Sequence, residues 1–205
     1  ASLPGDPMPT TEGTTVGMNN KVVNYIDLAC DEIQRYRPNW FFAADSVEIL
    51  TIAGINEYTL AGSGVANFGQ WDTSKVSIDG ALLQYVEYDD WYPLYGLDTS
   101  AIGKPSQFTV APNKSLIFTP TPDDVYAITA SYFHSAVPLA LDTDTPSMPE
   151  RFHMAIVWKA LMLYGVLTEN AHELYLMGEE QYSSLMMALQ VDQLPPSTSS
   201  GTPLV

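Results

Sequence analysis

Hydrophobic positions along this chain change their period twice, and the changes divide it into three regions. From about Asn20 to Arg37, Val22, Ile26, Ala29, Ile33 and Tyr36 recur in steps of four and three, the spacing of one buried helical stripe. Asn19 or Asn20 supplies a cap and Pro38 a stop. From Trp40 to Tyr132 the period becomes two. Val47, Ile49 and Thr51 alternate with Glu48 and Leu50. Further runs of β-formers follow at Glu57–Leu60, Lys75–Ile78, Leu82–Tyr88, Gln107–Val110, Leu116–Phe118 and Val125–Phe133, bounded by Gly, Pro, Asn or Asp. Ala111-Pro112-Asn113-Lys114 separates two runs at hairpin distance, and Pro120 and Pro122 beside Asp123-Asp124 mark another turn. Six to eight short strands at this spacing predict an antiparallel sheet, sandwich or small barrel.

The third region is helical. Ser147 and Glu150 have the Ser-x-x-Glu spacing of a capping box, with Pro149 in the first turn and Asp142, Asp144 and Glu150 near the positive end of the dipole. Residues 149 to about 167 are apolar nearly all round (Phe152, Met154, Ile156, Trp158, Leu161, Leu163, Val166), which predicts a helix buried on several sides. Asn170-x-x-Glu173 then caps a third helix reaching about Gln190. Its stripe is Leu174, Gln181, Leu185 and Leu189, and Gly178 weakens its middle by about 1 kcal/mol relative to alanine.

These elements predict an α+β fold: a three-helix bundle from the N- and C-terminal helices (19–38 and 147–190) with an inserted antiparallel β-rich domain, sandwich or barrel-like, over 40–137. Residues 1–18, rich in Pro, Gly and Thr, read as a mobile arm, and 191–205 as a tail. No internal repeat is evident.

Composition narrows the function. The chain has 205 residues, 46% hydrophobic, with 24 acidic against 8 basic side chains and a formal net charge of -16. The basic residues are scattered, so no patch neutralises a run of phosphates, and gripping nucleic acid is not expected. An acidic wall that DNA slides past fits the same charge. A single cysteine, Cys30, excludes an internal disulfide and a cysteine-rich zinc site; beside the helical stripe it reads as a small core residue. The first residues lack the pattern of a signal peptide, and the longest apolar run, Ala160–Leu167, is too short to cross a bilayer, so no membrane association is expected.

Candidate chemistry is thin. Glu150-x-x-His153 and Glu169-x-x-His172 are half the ligand set of a di-iron carboxylate bundle, but no fourth helix supplies the rest, and both glutamates sit where a helix cap wants them. His134 ends a strand and reads as hydrogen-bonded or exposed. No Gly-x-Ser-x-Gly elbow appears. Asp89-Asp90 and Asp123-Asp124 lie outside any regular calcium loop. Gly62-Ser63-Gly64 lacks the lysine of a phosphate loop and reads as a hairpin tip. Trp91, Tyr92 and Tyr95 around Pro93 form either a sugar-stacking or protein-contact platform or, the favoured reading, a loop folded onto its own sheet. No metal, cofactor or catalytic group is called for.

One run of residues resembles a known family. Gly103-Lys104-Pro105-Ser106-Gln107-Phe108-Thr109-Val110 leads through Leu116-Ile117-Phe118-Thr119-Pro120-Thr121-Pro122-Asp123 and Tyr126-Ala127-Ile128 to Tyr132. Leu141 to Glu150 and the helix carrying His153 follow, and Trp40-Phe41-Phe42 and Tyr58-Thr59-Leu60 fit the same layout upstream. In these the chain is similar to the head-to-tail adaptor, or connector, proteins of tailed bacteriophages. The resemblance implies a virion structural protein and not an enzyme. It implies a homo-oligomeric ring of twelve copies in the neck, docked beneath the portal protein and joined to the tail nozzle, tail tube or tail-completion protein, with double-stranded DNA passing through unbound. Leu194, Pro195, Pro196, Leu204 and Val205 of the tail are then the expected partner-docking residues. The rival expectation, a carbohydrate- or receptor-binding module of a phage tail or fibre, rests on Trp91, Tyr92 and Tyr95.

Overall fold

Helices α1 (Met18–Tyr36), α2 (Met154–Leu167) and α3 (His172–Gln193) lie toward the two ends of the chain, and among the described residues eight strands lie between them. The computed structural model describes residues 18–195 apart from 64, 66, 98–99, 138, 140–142 and 168–171. The expected arm before Met18, the Asn170 cap and the tail beyond Pro195 fall outside the described residues. The fold is α+β, and the chain divides into two compact units, one from the segments up to Ala43 and from Ala136 onward, the other Ala44–Ser135.

In the helical unit the core is Ala29, Cys30 and Ile33 of α1, Ala155 and Ile156 of α2, and Met186 and Leu189 of α3, closed by Trp40, Ala43, Met148 and Phe152. The α1 stripe therefore ends at Ile33. Tyr36, the last residue of α1 before Pro38 stops the helix, is 54% exposed, with Arg37 over its ring. Trp40 then folds back and its Nε1 donates to the Ile33 carbonyl (3.2 Å), satisfying one of the acceptors a helix end leaves open.

The Ser147–Glu150 box does not form. The element opens as a 3-10 turn at Glu150–Phe152 with Pro149 as N-cap (ψ 137°) and no side-chain cap bond. A box starting at Ser147 would need helical geometry at Met148, which a following proline disfavours. Instead the ring Nε2 of His153 lies 2.9 Å from the Met148 carbonyl.

On α3 the buried positions are Gly178, Met186 and Leu189, flanked by Tyr182 and Leu185, while Gln181 faces solvent. Gly178 explains the shift from the expected stripe. A Cβ there would sit 2.8 Å from Met162 Cγ and 3.0 Å from the Trp158 carbonyl oxygen, so the missing side chain lets α3 lie against α2. Lys159 of α2 reaches Glu32 of α1 (2.6 Å) and lies over the Tyr182 ring. Burial, then the charges of Glu32 and Tyr36, push the Tyr182 phenol up to about 12.

The β unit holds two four-stranded sheets. One has the order β1 (Ala44–Leu50), β8 (Ala127–His134), β3 (Phe68–Ile78), β4 (Ala81–Leu82); the other β2 (Glu57–Tyr58), β7 (Leu116–Thr119), β6 (Gln107–Val110), β5 (Gln84–Tyr85). Pairing within them is antiparallel except between β5 and β6. The inner faces meet through Ile49, Trp71, Val76, Ile78, Ile128, Ala130 and Tyr132 of the first sheet and Phe108, Leu116 and Phe118 of the second. This is a sandwich, with every second residue turned inward. Buried Leu83 is the corner at which the chain leaves one sheet for the other.

Two glycines set local geometry. Gly69 sits at a β3 register shift, where a Cβ would meet the Phe133 carbonyl oxygen at 2.8 Å. Gly80 (φ 80°) follows Asp79 (φ 49°) in the two-residue turn from β3 to β4, both in the left-handed region such hairpins require. The stretch expected as a hairpin tip differs: Leu60–Ser63 is a single helical turn in the connection from β2 in one sheet to β3 in the other.

Candidate interaction surfaces

The aromatic loop is folded onto its own sheet. Trp91 ends a short helical turn (Tyr88–Trp91) and is only 4% exposed, packed over Ala111 and Ile117 on the outer face of the second sheet. Its Nε1 donates to Thr119 Oγ1 at 2.8 Å, and Tyr88 and Tyr95 flank its ring. Tyr92 alone of the three is largely exposed. A buried, hydrogen-bonded indole offers no face for a sugar to stack on, so the fibre-module expectation loses its main support.

Most of the other candidates are engaged by neighbours. The Cys30 thiol, 1% exposed, accepts from Gln34 Nε2 (3.1 Å), and burial pushes its pKa up, which keeps it a core residue and a poor nucleophile. His134 Nε2 lies 3.4 Å from Asp45 Oδ2, with its ring edge-on to Tyr132. The Tyr126 hydroxyl donates to Asp123 and the Val125 N–H to Asp124. Asp89 and Asp90 lie exposed in the first turn of the Tyr88–Trp91 helix. His153 is engaged by Met148, His172 stacks on Tyr175, and Glu169 lies outside the described residues. Among the described residues no group of three or more His, Cys, Asp or Glu is placed to hold a metal.

Of the expected docking residues, Leu194 continues the last turn of α3, its N–H donating to the Gln190 carbonyl (3.1 Å) and its side chain half-buried against the helical core. Pro195 is exposed; Pro196, Leu204 and Val205 lie outside the described residues.

What the structure adds is uncovered apolar surface on the helical unit. Along α2, Met154, Val157 and Val166 point outward, although its all-round apolarity predicts burial on several sides. Val157, Leu161 and Tyr164 form one wall of a groove of about 350 Å³ whose other wall is Val22, Tyr25 and Ile26 of α1. Leu176, Met177, Met187 and Val191 are likewise exposed on α3. The signal for this surface is in the sequence: a helix apolar all round must hide more sides than a three-helix bundle covers.

The β unit has a groove of about 490 Å³ beside edge strand β1, lined by Leu50, Ile52, Ile55 and Tyr58 with Glu48 and Glu57 at its margin. Hydrogen bonds from Ser115 Oγ (2.6 Å) and then Asn113 Nδ2 (3.1 Å) hold the Glu57 carboxyl below its usual range.

These features define a class: an α+β protein whose distinctive surfaces are suited to contact with other proteins. The chain belongs to the SU10 adaptor protein family, whose model matches residues 6–201, in agreement with the expected phage head-to-tail adaptor. A structural adaptor family implies a non-enzymatic role. No curated protein matches the chain. Among the described residues no helix is long and apolar enough to cross a membrane.

Proposed function

We propose that this chain is the head-to-tail adaptor of a tailed-phage virion, a closed ring of twelve copies docked beneath the portal in the neck, joined to the tail and threaded by DNA that it does not bind. The observation that carries the reading is the extent of the family match, residues 6–201, which takes in both units. The charge supports the passage of DNA. A chain of net charge -16 repels phosphates, and no Lys or Arg follows Lys159 in the sequence. The segment from Leu194 to Val205, with Leu194, Pro195, Pro196, Leu204 and Val205 as its contact residues, docks on neighbouring virion proteins.

Cryo-electron microscopy of intact particles tests this. The expected result is a ring of this chain between portal and tail; absence from the neck, or a copy number that cannot match the portal, overturns it. Truncation after Pro195 is expected to leave the fold intact and abolish incorporation into the neck; normal incorporation removes the tail from the docking role.

A further inference from the structure

The α1–α2 groove and the Ser184–Val191 part of the outer face of α3 are two different uncharged patches on one compact unit. Every residue lining the groove is uncharged, and Tyr25 and Tyr164 meet edge to face within it (6.3 Å between ring centroids). On α3, the positions opposite the buried stripe run Glu173, Leu176, Glu180, Ser184, Met187 and Val191. From Gln181 to Val191 the helix carries no charged residue. Met187 and Val191, four apart on one ridge, are 69% and 83% exposed, and Val157 in the groove wall is 50% exposed.

We propose that this groove receives the Met187–Val191 ridge of α3 from a second copy of the same chain. The occupant follows from charge. Two copies each carrying -16 repel wherever their acidic surfaces meet, so copies are brought together most cheaply through surfaces free of charge. Groove and ridge are two such surfaces, one concave and one convex. A helix ridge with anchors at i and i+4 is the shape that an apolar groove between two helices accepts, and a flexible methionine fills an irregular slot. Because the two patches differ, the contact is heterologous and repeats from copy to copy, closing into a ring or running on as a filament. Closure into a ring rests on the adaptor reading; the contact itself does not.

Cysteine pairing tests the geometry. The only native cysteine is buried, so introduced thiols react alone. Full-length chains carrying Val157→Cys or Leu161→Cys are mixed with chains carrying Met187→Cys or Val191→Cys under mild oxidation, free and in isolated necks. At least one of the four mixtures is expected to give a mixed disulfide well above that of either variant alone; none doing so overturns the proposal. In parallel, Val157→Glu and Met187→Glu are each expected to move self-association to protein concentrations about tenfold higher or more. Unchanged association in folded variants also overturns it. Necks that contain the protein but yield no mixed disulfide sink the groove contact alone, whereas absence from the neck sinks the adaptor reading.

Discussion

The β unit covers both faces of its second sheet, while the helical unit leaves apolar ridges of two helices uncovered. The second sheet of the sandwich is covered on its inner face by the first sheet and on its outer face by Trp91 and its neighbours, which the chain brings back over Ala111 and Ile117. The helical unit has an equally dry centre around Ile33, Ile156 and Leu189, yet leaves Val157, Leu176, Met187 and Val191 in water. Apolar side chains that a fold could have buried and did not are informative because their exposure costs free energy with no return within one chain. The two units thus leave different kinds of apolar surface in water: the sandwich exposes loop and edge positions such as Leu50, Ile52 and Ile55 in and beside β1, whereas the bundle exposes ridges of regular helix on α2 and α3.

The sharpest way to break that comparison is to damage each core separately. Phe118→Ala in the sandwich and Trp40→Ala in the bundle each remove a fully buried ring and are expected to destabilise their own unit by about 3–5 kcal/mol. The two cores share no residue, so calorimetry is expected to show different transitions moving in the two variants; one common transition shifting in both refutes separate units.

A smaller effect sharpens the account of the bundle. Gly178→Ala improves helix propensity yet forces a Cβ to within 3.0 Å of the Trp158 carbonyl oxygen, and is expected to cost about 1–3 kcal/mol net in urea denaturation followed by helical circular dichroism. A stabilised variant would show that the α2–α3 approach is loose. On the sandwich side, Trp91→Phe keeps the ring over Ile117 but loses the bond to Thr119, for about 1 kcal/mol. Calorimetry of the sandwich transition checks it, and a loss well above that value would mean that the smaller ring also forfeits packing over Ala111 and Ile117.

The smallest effect is pH-dependent. Glu57 has a folded pKa below its unfolded value of about 4.3, so its bonds to Ser115 and Asn113 stabilise the fold above that pH and stop doing so as pH falls through the folded value. Glu57→Gln is expected to cost less than about 1 kcal/mol at neutral pH, given the exposure of the carboxylate, and nothing once wild-type Glu57 is protonated. A difference that persists undiminished in acid would assign it to packing.

Much of this was legible in the residues, because period and punctuation are local signals. The step-three-and-four spacing in α1, the β-former runs and the Ala111–Lys114 hairpin reflect backbone geometry that neighbours in sequence determine. The misreadings have equally physical causes. Ser147 and Glu150 have the spacing of a capping box, but Met148 precedes a proline and is kept from the helical region. Leu174 and Gln181 fit a heptad-like pattern, but the groove left by Gly178 rotated the buried face toward Tyr182 and Met186. The parallel β5–β6 pair depends on a crossover connection that brings the chain back in the same direction, which no local pattern records. The apolar circumference of α2 is the most instructive case. Its residues are those of a buried helix, and sequence cannot say whether the burying surface belongs to the same chain or to a neighbour.

Cys30 has a practical consequence. With one sulfhydryl in the whole polypeptide, sealed among Ala29, Ile33 and Trp40, alkylation can proceed only while the bundle is open. The labelling rate is therefore a native stopwatch for that opening, blind to the sandwich and readable inside an assembled particle as readily as in a free subunit.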